Sequence, residues 1–377
     1  MSIPLHRDGR MVTLNARLCT PAGTENPTAI DPAYPTILFC HPIWLDSFFF
    51  YPQMEDPLFA DHYNLVAFDM RGHGLTTVDG SPDDQYDAWT AAQDLAAGLE
   101  FLGVTRTHVL GTAFGASVAA RLASLHPALV ETLILISLPP PQDSPEMAAG
   151  YAECQEALIA ATKTGDVDCL DAITTATFQY DASTPLSQAV REIRDEYMTL
   201  ARQRFPPNGT EAATVEQAAY YIWNPVTTRE ALGAQEMGRI TSPTLILQGC
   251  GQENDHADDA IHFAAVFNGA HHDTASVRAS LRLIADGGHY MTLTSPNVVN
   301  PLIAKYIGTP SSAALPPLPA DGSRIVGPAI ARRPSTPREV LFDIPPIPRV
   351  IPGMRTVGDE LDRLRVDVVV ATEVSAT

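Results

Sequence analysis

The sequence predicts an α/β fold in which helices flank a mostly parallel central sheet. Three observations predict it. Short apolar runs of strand length recur along the chain, helical patterns alternate with them, and a long helical stretch separates the last run from the others. The runs are continuously apolar rather than alternating, as strands covered on both faces require. This alternation of strand and helix is typical of a doubly wound α/β core.

The elements follow in order along the chain. An amino-terminal hairpin around Asp8-Gly9-Arg10 is expected to add antiparallel edge strands. Helices are predicted over 87–102 and 115–125, and a last short helix over roughly 296–307. The predicted core strands are Thr36–Cys40, Asn64–Phe68, Thr107–Leu110, Thr132–Ile136 and Thr244–Leu247.

The chain divides into three parts. We assign 1–141 and 241–308 to the α/β core and 142–240 to an inserted helical cap, or lid, that selects the substrate. Its predicted helices lie near 145–163, 166–178, 185–204 and 211–222, interrupted by Pro206-Pro207 and Asn224-Pro225.

The tail, 309–377, is rich in proline, and we expect it to be largely disordered. An alternative for its short apolar runs, 340–342 and 366–370, is that they dock on the core as an edge.

Composition excludes several classes of function. The net charge of −20 opposes binding to nucleic acid and to anionic membranes. The five cysteines are odd in number and lack a CxxC pair, which favours reduced thiols over a disulfide framework or a zinc site. The first residues hold no apolar leader, so we expect a cytoplasmic protein. No metal or nucleotide motif is present, and we predict a small-molecule ligand, no cofactor and an undetermined oligomeric state.

The segment Gly111-Thr112-Ala113-Phe114-Gly115 carries the central motif. A strand turns sharply into a helix there, and small residues let the two backbones approach. The amino terminus of the helix favours negative charge. Alanine at the middle position has no nucleophilic atom. The neighbouring hydroxyls of Thr112 and Ser117 are weak replacements.

Three further segments stand at plausible distances from this turn. His41-Pro42-Ile43-Trp44 ends the first core strand, and Asp69-Met70-Arg71-Gly72-His73-Gly74 follows the next one. Asp286-Gly287-Gly288-His289-Tyr290 precedes the last helix. Together with the strand-to-helix turn at Gly111–Gly115, here called the elbow, these segments resemble the α/β-hydrolase fold superfamily over roughly residues 5–308. The first two resemble most the cap-bearing, fungal-type members of the AB hydrolase-1 family.

The resemblance implies a role for each site residue. Ala113 stands at the nucleophile position and His289 at that of the base. Ile43 and Phe114 supply the backbone N–H groups of the oxyanion hole. His41 and Trp44 lie beside the substrate, whereas His73 has a mainly structural role.

The sequence offers several candidates for the acid of the site. Gln252 occupies the place where the family carries an aspartate. Glu253 is the first candidate, Asp255 the reserve and Asp143 a remote alternative, and the absence of any acid partner also stays open.

Three functions follow from these residues. The first is a hydrolase-type protein for a small or medium apolar ester or lactone, in which alanine replaces serine through engineering or natural divergence. The second is a ligand-binding or signalling module that has lost its chemistry. The third is an isomerase, a cyclase or a base-catalysed enzyme that uses His289 without a nucleophile.

Overall fold

A central sheet runs through the protein. The computed structural model describes residues 1–7, 9–23, 27–80, 86–164, 167–178, 188–204, 212–250, 257–271, 279–284, 287–308 and 367–369. Its strands are β1 (Ser2–Arg7), β2 (Arg10–Cys19), β3 (Thr36–Cys40), β4 (Asn64–Phe68), β5 (Thr77–Val78), β6 (Thr107–Thr112), β7 (Val130–Ile136), β8 (Thr244–Gly249), β9 (Ala279–Ile284) and β10 (Asp367–Val369).

The strand order is β1-β2-β4-β3-β6-β7-β8-β9-β10, with β5 paired to β2. All neighbours from β4 to β10 are parallel, and the pairs made by β2 are antiparallel. The predicted amino-terminal hairpin and mostly parallel sheet are therefore confirmed. Strands β3, β4, β6 and β8 are buried at every residue, as their continuous apolar runs predicted.

Helices cover the sheet and fill the long connection between β7 and β8. A 3-10 helix spans Ser47–Phe50, and the α-helices are α1 (Tyr51–Met54), α2 (Pro57–Ala60), α3 (Ala88–Phe101), α4 (Phe114–Leu125), α5 (Pro145–Thr164), α6 (Val167–Phe178), α7 (Gln188–Arg204), α8 (Ala212–Thr227), α9 (Ala234–Met237), α10 (Ala257–Ala270), α11 (Met291–Thr294) and α12 (Pro296–Ile307). No helix in these described ranges has the length and apolarity that crossing a membrane requires.

Helix α8 and strand β9 differ from the sequence prediction. Helix α8 continues through Asn224-Pro225, where an interruption was predicted. Asn224 donates from Nδ2 to the carbonyl of Tyr86 at 2.8 Å, so a tertiary contact holds this last turn in place. Strand β9 was missed because Ser280 and Arg282 are only half-buried, which gives it an alternating rather than a continuous pattern.

The segment Asp367–Val369 forms an edge strand. It pairs in parallel with Arg282–Ile284 of β9. The alternative that the run 366–370 docks on the core as an edge is therefore confirmed for these three residues. The rest of the tail lies outside the described residues, and its predicted disorder stays a prediction.

A buried ion pair connects the loop after β4 to helix α3. Arg71 donates to both carboxylate oxygens of Asp94, at 2.7 and 3.0 Å, and Arg7 reaches the same carboxylate at 3.3 Å. The guanidinium of Arg71 also lies 5.0 Å from the ring centroid of Tyr86. Because both charges are hydrogen-bonded, the pair can hold the loop in one conformation at the edge of the sheet.

Helix α4 lies against the sheet through two glycines. A Cβ atom on Gly111 would lie 2.2 Å from the carbonyl oxygen of Gly115, and one on Gly115 would lie 2.0 Å from that of Cys40. Both are backbone atoms of packed elements, which cannot move aside independently. The amino terminus of α4 therefore approaches the end of β3 only because these positions lack side chains.

We expect Gly115→Ala to lower the free energy of unfolding by about 1–3 kcal/mol, because the added methyl group would overpack the contact with Cys40. Urea unfolding measures the change. Gly150→Ala in helix α5 is the matched control, since nothing lies within 4 Å of its added Cβ and alanine favours a helix by roughly 1 kcal/mol. Equal stability of the two variants would contradict the packing argument.

Candidate active site

The turn between β6 and α4 has the strained backbone that the sequence predicted. Ala113 adopts φ 53° and ψ −123°, although it is not a glycine. Its N–H donates to the carbonyl of Ile136 at 2.9 Å, and its carbonyl accepts from Ala116 at 2.9 Å. Such a conformation costs about 1–3 kcal/mol and persists only where its surroundings impose it.

A cavity of about 200 Å³ lies at this turn. Five of the predicted site residues line it together, namely Ile43, Trp44, Ala113, Phe114 and His289. The first two come from the loop after β3, the next two from the elbow, and His289 from the loop before α11. Segments far apart in sequence therefore converge at the carboxyl ends of β3, β6 and β9.

Ile43 and Phe114, the predicted oxyanion donors, both line the cavity, and that role stays a prediction. The N–H groups of Ile43 and Phe114 have no hydrogen-bond acceptor among the described residues. The N–H of Trp44, by contrast, donates to Nε2 of His73 at 3.1 Å. Ile43 rather than Trp44 is thus the residue of this loop whose amide can donate to a ligand.

His41 and His73 form hydrogen bonds between the loop after β3 and the loop after β4. His73 accepts from Trp44 at Nε2, and its Nδ1 lies 3.0 Å from the carbonyl oxygen of Arg71. His41 accepts the N–H of Met70 at 3.0 Å. The ring of His41 is fully buried and does not line the cavity, so the structure does not bring it to the place of the substrate.

Asp69 connects the segment after β3 to the loop after β4 through hydrogen bonds. One carboxylate oxygen accepts the N–H of Ser47 at 2.9 Å, and the other accepts from Leu75 at 2.9 Å. Gly74, with φ 50°, lies so close that a Cβ atom would be 1.9 Å from this carboxylate. The segment Asp69–Gly74 therefore has the structural role that the sequence predicted.

The loop that carries His289 packs on the end of β8. A Cβ atom on Gly249 would lie 2.1 Å from the carbonyl oxygen of Gly287, and Cys250 donates to the carbonyl of Ile284 at 2.9 Å. The end of β8 and Cys250 therefore lie beside the histidine loop. Gln252, Glu253 and Asp255 themselves lie outside the described residues, and their roles stay predictions.

Aromatic rings form one wall of the cavity. Trp223 of α8 stacks on Trp44 with a centroid distance of 6.1 Å, and its ring lies 5.7 Å from that of Tyr151 of α5 in a tilted arrangement. Ile173 and Thr177 of α6 line the same space. Sequence reasoning missed these residues because a single aromatic residue in a helix carries no motif, and only the packing of the inserted helices shows its place.

A buried ion pair also lines the cavity. Arg229 donates from Nη2 to Asp143 at 2.9 Å and from Nη1 to the carbonyl of Pro140 at 2.6 Å. The two side chains are 4% and 11% exposed, and both residues line the cavity. Burial lowers the pKa of Arg121 to about 10, and the charge of neighbouring Arg229 adds to this effect. Asp143 therefore compensates charge in a region that holds two guanidinium groups.

The thiol-bearing residue Cys154 of α5 also lines the cavity. Burial raises its pKa, so it is a neutral thiol at pH 7 and not an activated nucleophile. Of the hydroxyls considered from the sequence, Thr112 is fully buried, and Ser117 lines a separate cavity of about 70 Å³. Neither Thr112 nor Ser117 lines the larger cavity.

Comparison with known proteins agrees with this arrangement. A family model described as alpha/beta hydrolase fold matches residues 35–296. The structure is similar to the enol-lactonase from Burkholderia xenovorans, with a TM-score of 0.56 and 15% identity, over 81% of this chain and 99% of that one. It is also similar to a thermophilic esterase from Thermogutta terrifontis, with a TM-score of 0.58 and 18% identity, over 81% and 98%. At this identity, both likenesses concern the fold.

Curated relatives match with different coverage. A 2-(acetamidomethylene)succinate hydrolase of Mesorhizobium japonicum is 31% identical over 28% of this chain and 36% of its own length. The chain thus covers only about a third of that relative. A putative carbamate hydrolase RutD of Stutzerimonas stutzeri is 24% identical over 74% of this chain and 93% of the relative.

We expect Asp143→Ala to destabilise the protein by about 3–5 kcal/mol, because it leaves the buried guanidinium of Arg229 without its counter-charge. Chemical unfolding measures the loss. Glu131→Ala is the control, since Glu131 pairs with Arg106 at 3.6 Å on an exposed surface, where such a pair contributes about 0–1 kcal/mol. A change of that small size at Asp143 would mean that the pair does not hold the cavity wall.

Proposed function

Because the chain belongs to the α/β-hydrolase fold family, we propose that its cavity binds a small or medium apolar ester or lactone. The strained turn at Ala113 is the observation that carries the proposal. It lies in one cavity with His289 and with two amides that have no acceptor among the described residues. The largely aromatic and aliphatic wall suits an apolar ligand body.

In this proposal the ligand carbonyl lies above Ala113. Its oxygen accepts from the N–H groups of Ile43 and Phe114, and the dipole of α4 adds to the stabilisation of negative charge there. His289 stands at the position of the general base, and Glu253 is our first candidate for the acid that orients it. Residues 142–240 act as the cap that selects the ligand.

Ala113 limits what this arrangement can do. Without an oxygen or sulfur atom at position 113, no acyl-enzyme intermediate forms. In a serine hydrolase, loss of the nucleophile lowers kcat by roughly 10⁶-fold, although the oxyanion hole and substrate binding still give roughly 10³–10⁴-fold over water. We therefore propose a hydrolase-type site that binds its ligand without acylation, whether the alanine arose by engineering or by divergence.

A second candidate function is ligand binding or signalling without any chemistry. Ala113 itself favours this candidate, because the cavity is kept while the nucleophile is absent. A base-catalysed reaction that uses only His289 is a further alternative, since its half-buried ring lines the cavity. The ester-hydrolysing activity of an Ala113→Ser variant tests the hydrolase-type function against these two alternatives.

We expect Ala113→Ser to hydrolyse short-chain 4-nitrophenyl esters, with kcat rising by up to about 10⁶-fold over the alanine chain. The serine hydroxyl would occupy the turn beside His289 and the two amides. Release of 4-nitrophenol measures the rate. Adding His289→Ala should abolish the gain, whereas adding Ser117→Ala should leave it, since Ser117 lines the separate cavity.

The same serine background identifies the acid. Glu253→Gln should lower the restored kcat more than Asp255→Asn if Glu253 orients the histidine. The opposite order would assign the role to Asp255. A serine chain that is inert on a broad panel of esters and lactones would contradict the hydrolase proposal and leave the binding function.

The chain with Ala113 should bind an unreactive ligand saturably. At a free ligand concentration of 100 times Kd, binding stabilises a folded protein by about 2.7 kcal/mol, and a rise in Tm reports it. A thermal-shift screen of apolar esters and lactones therefore provides the measurement. If no ester or lactone in the screen raises Tm, both the hydrolase-type function and the binding function are contradicted.

A further inference from the structure

Trp44, in the loop after β3, has an unusual backbone conformation. Its φ is 69°, in the left-handed region that glycine favours, and the residue is only 2% exposed. A bulky residue keeps such a conformation only where its surroundings impose it. Trp44 also directly follows Ile43, whose amide donates to the ligand in the proposed function. The groups that hold Trp44 therefore also affect the position of that amide.

Three of the helices inserted between β7 and β8 contact Trp44. The hydroxyl of Tyr197 on α7 donates to its backbone carbonyl. The indole Nε1 of Trp44 donates to Oγ1 of Thr174 on α6 at 3.1 Å, and Trp223 of α8 stacks on the indole ring. Tyr197 and Thr174 are buried, so water does not readily replace either hydrogen bond. One residue of the core loop is thus connected to α6, α7 and α8.

The backbone of Trp44 is held on both sides of its Cα atom. On one side its N–H donates to Nε2 of His73 at 3.1 Å, from the loop after β4. On the other side its carbonyl accepts from Tyr197. Fixing both backbone groups restricts φ and ψ together, and a buried hydrogen bond of this kind is costly to leave unmade. The core supplies one of these two bonds and helix α7 supplies the other.

Tyr197 acts at a distance from the ligand. It is described by the structure but does not line the cavity, whereas Ile43 and Trp44 do. Resting on the proposed function, we infer that Tyr197 is a positioning residue. Its hydroxyl holds Trp44 in the left-handed conformation and thereby keeps the amide of Ile43 in place for the ligand carbonyl. Helix α7 thus contributes to carbonyl recognition through the core loop, without touching the ligand.

Hydrogen exchange, followed by NMR without any ligand, tests the first part of the inference on the full chain. Tyr197→Phe removes one hydroxyl and keeps the ring. We expect the N–H of Trp44 to exchange about 3–10-fold faster, the factor that loss of one hydrogen bond gives. Thr199→Val is the matched control on α7, because the exposed Thr199 donates to the carbonyl of Asp195 within the same helix, and the rate should not change there.

Paired ligands test the second part, the effect on carbonyl recognition. Ethyl hexanoate and ethyl hexyl ether differ in one carbonyl group, and so do δ-decalactone and 2-pentyltetrahydropyran. Calorimetric titration gives each Kd for the parent chain and both variants. In Tyr197→Phe we expect the ratio of ether Kd to ester or lactone Kd to fall about 3–10-fold, while the ether Kd stays within about 2-fold. Thr199→Val should leave this ratio unchanged.

The outcomes separate this inference from the proposed function. Unchanged exchange at Trp44 in Tyr197→Phe would overturn the inference, because the amide would then open without breaking the bond to Tyr197. An equal loss of affinity for ether and ester would overturn it too, since Tyr197 would then only support packing of α7. Both results leave the proposed function intact. If neither the ester nor the lactone binds the parent chain, the proposed function fails, and the exchange rates still decide whether Tyr197 holds Trp44.

Discussion

The close contact between the start of α4 and the ends of the central strands is the constraint on which the rest of the site depends. Gly111 and Gly115 let backbone meet backbone there, and a Cβ atom at either position would lie within 2.2 Å of a carbonyl oxygen. This contact forces the chain to turn within one residue, which gives Ala113 its positive φ. The amide of Phe114 then points away from helical partners, at the end of the helix where the dipole favours an anion.

The remaining parts of the site are arranged around this turn. The buried pair of Arg71 and Asp94 holds the loop after β4, and His73 of that loop accepts the N–H of Trp44. That hydrogen bond leaves Ile43, and not Trp44, as the residue of this loop whose N–H has no acceptor among the described residues. Polar groups outside the cavity thus determine which amide of the loop stays available.

Alanine at position 113 separates the geometry of the site from acyl-transfer chemistry, two properties that usually occur together. The strained backbone and the placement of Ile43, Phe114 and His289 around one cavity depend on the fold, whereas acyl transfer depends on a single side-chain atom. With alanine at position 113, the cavity is present without that atom.

The sequence by itself determined strands β1–β4 and β6–β8 of the sheet and the sharp turn into α4, because continuous apolar runs and glycine-bounded turns are local signals. It also determined that position 113 has no nucleophile. Tertiary structure alone decided that helix α8 runs through Pro225, that His41 is buried instead of lining the cavity, and that Trp223 and Arg229 line it. These outcomes depend on contacts between segments far apart in the chain. No local pattern encodes them, since a lone tryptophan or arginine in a helix has the same sequence signature whether it faces solvent or a ligand.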